Sequence, residues 1–163
     1  LKDFGEKRLS AIGIPGARLV FDDYQEIELR GELLGGQGKT RVKVRIVGLV
    51  AYVVLKALAF KERGESKDAY DLIYVLMRAG PEKLGQAFGG KMSDNPNEPL
   101  YPEAVTVLKD SFLDDEEVPG VEKEGPVQYA RFVEPTDPDE QAIAAQDAAS
   151  VAEIFLRAAS KMD

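Results

Sequence analysis

The chain has 163 residues, with 21 basic and 29 acidic side chains and a net charge of −8. That length suits one ordinary domain, burying roughly 70% of the surface its unfolded form exposes, and the acidic balance argues against a dedicated nucleic-acid coat. Cysteine and histidine are both absent, which excludes disulfides, thiolate zinc sites, cysteine nucleophiles and imidazole proton shuttles, so any chemistry rests on carboxylates, lysine, arginine, tyrosine or hydroxyls.

The opening LKDFGEKRLSAIG lacks the long apolar segment of a signal peptide and does not begin with Met, so a truncated or processed chain is expected. ARLVFDD (17–23) reads as a short strand. The following stretch alternates on both sides of a Gly-rich turn: Ile27, Leu29 and Leu33 with Glu26, Glu28, Arg30 and Glu32, then Val42, Val44 and Ile46 with Arg41, Lys43 and Arg45. This predicts a hairpin closed at GGQG (35–38), with Leu34 opposite Lys39. At that register Leu29 faces Val44 and Ile27 faces Ile46 on one side, Glu32 faces Arg41 and Glu28 faces Arg45 on the other, and Arg30 against Lys43 is the one mismatched pair. The glutamates opposite explain the basic stripe without recourse to nucleic acid. GGQG lacks the strand-to-helix setting of a phosphate loop.

Helices are predicted over 49–63 and 67–79, the second with Ser66 as its cap, Asp68 in its first turn, and a buried stripe of Ala69, Leu72, Ile73 and Leu76. PEKLGQAFGG reads as a short helix at best, 91–101 as a loop, and the segment from Pro102 as a helix. The acidic run DDEEVPGVEKEG (114–125) carries six carboxylates and one lysine and is expected to be exposed and mobile. VQYARFV (127–133) reads as a short strand, and Asp137 with Pro138 opens a long last helix. The expected fold is α+β, an N-terminal hairpin packed against a helical C-terminal part, in a single domain or domain fragment: strands over 1–47, helices over 48–113, an acidic loop over 114–126, and a short strand with the terminal helix over 127–163. The longest apolar run, Ile46 to Phe60, spans 15 residues with Lys56 inside it, short of the about 20 needed to span a bilayer. No membrane partner is expected, and the cytoplasm is the default compartment.

Lys56 is the most informative residue. As the only charge in that run, with Tyr52, Val53 and Phe60 as helical neighbours, its ammonium calls for an anion, an exit to a helix edge, or loss of its proton. Asp68 and Asp71, three apart on the next helix, project to one side with Lys67 beside them and Arg63 in the turn before. A cluster of Lys56, Asp68 and Asp71 suits phosphate or metal-nucleotide contact, but charge pairing alone also produces it, and spacing by itself favours the pairing slightly. The Asp137-Pro138-Asp139 triplet has a metal-like spacing but the position of a helix cap. Tyr70 and Tyr74, one turn apart, fit packing better than base stacking.

The segment VKVRIVGLVAYVVLKALAFKERGESKDAYDLIYVL (42–76) resembles the AbiEii/AbiGii-type nucleotidyltransferase family, the toxin-like proteins of abortive-infection and toxin–antitoxin systems. The resemblance rests on a K-x-x-A-x-x-x-R pattern at Lys56, Ala59 and Arg63, and on Lys67-Asp68-Ala69-Tyr70-Asp71-Leu72. It implies a protein that transfers a nucleotidyl group from a nucleoside triphosphate, with Mg²⁺, to an RNA, tRNA or protein acceptor, with an antitoxin as a further partner. Lys56, Asp68 and Asp71 would be the catalytic residues, and Lys56, Arg63 and Lys67 would hold the nucleotide. The family's Gly-Ser and Asp-x-Asp element, which binds the metal, does not precede the hairpin. Asp22 and Asp23 are adjacent, on opposite faces of the expected strand, and do not replace it. The chain is therefore expected to be the later portion of such a transferase or a degenerate relative, inactive alone, with the Mg²⁺ ligands mostly outside it. The alternative is a non-catalytic interaction, scaffold or nucleotide-binding domain.

Overall fold

A computed structural model describes residues 2–3, 10–11, 13–14, 16–36, 38–134 and 136–160. The irregular opening expected from the sequence lies mostly outside these, as do Gln37 of the hairpin turn and the final residue expected in the last helix. The fold is α+β, and the chain divides into two compact units, Leu1–Tyr52 and Val53–Asp163, with the division falling inside a helix.

In the first unit, β1 (Lys2–Asp3) pairs antiparallel with β2 (Ser10–Ala11). The strand expected over 17–23 is instead a short helix, α1 (Leu19–Asp22). Gly16, at φ 77°, starts a run of local turns in which Leu19 N–H reaches the Gly16 carbonyl and Asp23 N–H the Leu19 carbonyl. The apolar run Leu19-Val20-Phe21 has no alternation to favour a strand, and only Leu19 of it is buried.

The hairpin is present as β3 (Tyr24–Glu32) and β4 (Lys39–Val47). Its register differs from expectation by two residues: Leu29 opposes Val42, Ile27 opposes Val44, Glu28 opposes Lys43, Glu26 opposes Arg45, and the mismatched pair is Arg30 with Arg41. The cause is the turn. Leu33 N–H donates to the Gly38 carbonyl at 2.9 Å, while Gly35 and Gly36, at φ 81° and 72°, curl the chain early and leave Leu34 97% exposed on the tip. A shift of two preserves side-chain parity, so the apolar and charged faces still separate as expected.

Helix α2 (Leu49–Arg63) has the predicted bounds. Its cap is not local. Asp23 Oδ2 accepts the Ala51 N–H at 2.8 Å and the Asp23 carbonyl accepts Gly48 N–H at 2.8 Å, so this aspartate satisfies an orphan donor at the helix start from 28 residues away.

The second unit contains α3 (Ser66–Ala79), α4 (Pro81–Asp94), α5 (Leu100–Phe112), a 3-10 turn (Gly120–Glu122), α6 (Glu124–Val133) and α7 (Pro138–Ala159). The α3 stripe is buried as predicted. Ser66 is not its cap: Glu65 holds that position without a side-chain bond, and the Ser66 hydroxyl donates to the Gln128 side-chain carbonyl on α6. α4 is a full helix running into the expected loop. Its Gly85 is a contact surface, since a Cβ there would collide with the Phe155 carbonyl and Ala158 of α7. Helix packing across that face outweighs the low propensity of the glycines.

The acidic segment is a hydrogen-bonded turn instead of a loose loop. Asp115 Oδ1 accepts the N–H groups of Glu117 and Val118 at 2.9 and 2.7 Å, Asp114 accepts that of Gly120, and Lys123 pairs with Asp115. The expected strand at 127–133 is the helix α6. Its buried residues are Gly125, Pro126 and Ala130, a spacing of four that belongs to a helix face, and Pro126 sits in the first turn, where a missing N–H is tolerated.

α7 matches prediction: Asp137 Oδ1 accepts from Asp139 N–H at 2.9 Å and Glu140 N–H at 3.3 Å. It forms the post of the unit, packing on α4 and α6 and touching α3 and α5. Phe88, Phe112, Phe155, Leu72, Ile73, Leu76 and Leu108 fill the core, with Phe88 edge-on to Phe155 at 5.4 Å. No helix among the described residues is long and apolar enough to cross a membrane.

Candidate functional site

Helices α2 and α3 are joined by the two residues Gly64 and Glu65. Such a tight connection brings the later turns of α2 against the first turns of α3. Lys56 Nζ consequently lies 2.7 Å from Asp71 Oδ2 and 3.2 Å from Asp68 Oδ1. Arg63 closes the far side of Asp68, 2.7 Å from Oδ2, and Lys67 meets Asp71 Oδ2 at 2.8 Å, one turn along the same helix. All five residues singled out from the sequence thus form one network of three cations and two carboxylates.

Burial grades sharply across it. The side chains of Asp68, Asp71 and Lys56 are 4%, 16% and 22% exposed, whereas Arg63 and Lys67 are 54% and 65% exposed. The desolvation cost falls on the inner three, and the outer two cations complete the neutralisation of the carboxylates. Asp68 Oδ1 accepts from both Lys56 and Arg63. Its Oδ2 lies against the Arg63 guanidinium without a well-directed N–H bond. Burial pushes the Asp71 carboxyl up, but hydrogen bonds from Lys56 and Lys67, with their charges, outweigh it and hold the group below its ordinary range.

The cluster holds more positive than negative charge. Its formal charge is +1, and a divalent ion at Asp68 or Asp71 would compete with an ammonium already within hydrogen-bond distance. Among the described residues no group of three or more carboxylates is placed to hold a metal ion. The Mg²⁺ implied by the resemblance therefore does not fit the residues of this cluster. Asp137 and Asp139 do not supply it either: Asp137 is committed to capping α7, and Asp23 to capping α2.

Beside the network, Arg63 borders a cleft of about 420 Å³ whose wall also carries Glu62, Glu103, Asp110 and Glu124, with Lys61 held by Glu103 at 2.7 Å. With four carboxylates against Lys61 and Arg63, that wall disfavours a phosphate. The tyrosines pack as expected, with Tyr70 stacked on Tyr74 at 5.7 Å and on Phe132 of α6 at 4.6 Å.

Asp23 is the polar residue that sequence reasoning misassigned, because nothing local links it to α2. No family model, curated protein or solved structure matches this chain.

Proposed function

We propose that this chain is the lysine-bearing part of a nucleotidyltransferase-like protein, with Lys56 placed to take a phosphate of a nucleoside triphosphate. The observation that supports this reading is the convergence of Lys56, Arg63, Lys67, Asp68 and Asp71 on one helix corner with a residual positive charge. These are the polar positions of the pattern that resembles the family. In this role the two aspartates are positioning residues: they fix the ammonium by two hydrogen bonds, so that it meets an incoming phosphate without reorganisation. Lys67, the most exposed of the three cations, adds charge. The acceptor, RNA or protein, belongs to this reading as well, as does pairing with an antitoxin.

The test is thermal unfolding with and without millimolar ATP, GTP, CTP or UTP, for the wild type and Lys56→Ala. A ligand that binds only the folded state raises the melting temperature in proportion to its occupancy. The expected result is a rise in the wild type that Lys56→Ala abolishes. A wild type indifferent to all four nucleotides would overturn the reading.

A second reading has its own support: each carboxylate is already paired by two cations of the same chain. A pure α2–α3 clamp in a non-catalytic interaction domain needs no more than that. It makes the nucleotide response zero and leaves only a loss of stability in the Lys56 variant.

A further inference from the structure

The hairpin β3–β4 is a sheet with no third strand among the described residues. Two-stranded hairpins are marginal in water unless a further strand or a packed face supports them. This one is long, with nine consecutive pairs and no interruption of register, and neither strand contains a proline. It lacks a bulge and a proline, and what guards its β4 edge is charge, Lys39, Arg41, Lys43 and Arg45, which repels a cationic strand and admits an acidic one.

Its two faces differ in a way that specifies a partner. One carries Ile27, Leu29, Val42, Val44 and Ile46 with no charge, and Leu29 and Val42, directly opposite one another, are each about half exposed. The other carries five cations, Arg30, Lys39, Arg41, Lys43 and Arg45, against three carboxylates, Glu26, Glu28 and Glu32. The glutamates lie on β3, where Glu26 pairs with Lys43 at 3.0 Å and Glu28 with Arg30 at 2.8 Å and Arg41 at 4.0 Å, while Arg45 lies 4.5 Å over the Tyr24 ring. The surplus of two positive charges therefore sits along β4, in a chain whose net charge is −8.

The backbone of β4 is oriented to match. Leu33 donates to Gly38 and Gly48 to Asp23, so hydrogen-bonded pairs alternate between those ends, and Arg41, Lys43 and Arg45 are the residues whose N–H and C=O groups turn outward. The same residues present an open main-chain edge and a row of positive side chains.

We propose that the β4 edge takes up an extended segment in which acidic and β-branched apolar residues alternate. That segment would become a third strand, its carboxylates beside Arg41, Lys43 and Arg45 and its apolar side chains continuing the face of Val42 and Val44. The docking is independent of Lys56. Single-stranded RNA answers the charge but neither the apolar face nor the strand edge.

The test is fluorescence anisotropy of the intact chain with two labelled peptides, one alternating Glu and Val, the other Lys and Val. The acidic peptide is expected to bind at least about ten-fold more tightly, a difference of about 1.4 kcal/mol. Arg41→Glu/Lys43→Glu/Arg45→Glu should invert the preference. Val42→Lys, which leaves the charged face alone, should abolish binding while the helical circular dichroism is retained. Hydrogen exchange with the acidic peptide bound should slow over 39–47. Equal affinity for the two peptides, binding of neither, protection on β3 in place of β4, or uptake of a single-stranded RNA in preference to the acidic peptide would each overturn the proposal.

Discussion

Replacing Lys56 by methionine keeps most of the side-chain volume and removes the ammonium, so its effect isolates the charge. Removing one partner of a fully buried pair costs about 3–5 kcal/mol, and losing an exposed pair about 0–1 kcal/mol. The network lies between these limits. Asp68 would still have Arg63 at 2.7 Å and Asp71 would still have Lys67 at 2.8 Å, but both replacement cations are more than half exposed, and Asp68 is nearly sealed from water. A loss of about 2 kcal/mol follows, taken between the two limits. For a unit of roughly 110 residues, with an unfolding entropy of about 2.1 cal/mol/K per residue, this lowers the melting temperature by about 9 °C. Differential scanning calorimetry on the wild type, Lys56→Met, Asp71→Asn and the double variant reads both the loss and the coupling. A fall of under about 2 °C, or strict additivity of the two substitutions, would show that the carboxylates do not depend on this lysine. The order of cost should be Lys56 above Arg63 above Lys67, following their exposure.

Asp23→Ala should cost about 1 kcal/mol through loss of the α2 cap, read by denaturant unfolding, with Asp23→Asn recovering most of it. Gly85→Ala should destabilise the second unit by about 2 kcal/mol or more, because the added methyl meets the α7 backbone, which has no rotamer through which to yield. In acid, Asp71 and Asp115 act with one sign. Both carboxyls are held below their unfolded value, Asp115 at about 2 by the bond from Lys123 and the backbone donors of Val118 and Glu117. Their contributions are thus complete above about pH 4 and are lost as pH falls through the folded values. Unfolding midpoints measured from pH 5 to pH 2 should decline more gently in Asp71→Asn than in the wild type.

The parts of the molecule legible in the sequence are those whose causes are local. Helix α2 was bounded by Gly48 and the Arg63-Gly64 step, α7 by Asp137 and Pro138, and the α3 stripe by its own spacing. The cluster of Lys56, Asp68 and Asp71 belongs to this class, since a short turn between two helices leaves little choice about which side chains meet. The hairpin faces were legible for a related reason: alternation fixes parity, while the turn alone fixes register, and Leu33–Gly38 closing in place of Leu34–Lys39 moved the register by two without disturbing the faces.

Apart from α1 and the hairpin register, which local turns at Gly16 and at Gly35 and Gly36 set, what escaped was decided at a distance. VQYARFV alternates well enough to pass for a strand, yet its neighbours are helices: Gly125 rests on the Phe112 ring, and Tyr70 stacks on Phe132. Those contacts reward residues spaced by three and four, and no count within the segment reveals them. Gly85 reads as a helix breaker until α7, some seventy residues later, is seen to need the space. Asp23 reads as half of a failed metal pair until the start of α2 arrives beside it. The same reasoning bears on function. Phosphate binding at Lys56 requires a group from outside the network, whereas the α2–α3 clamp requires only residues already in it. Local sequence therefore favours the clamp slightly over the site, and the nucleotide titration separates them because it supplies the one component that no part of the chain can imitate.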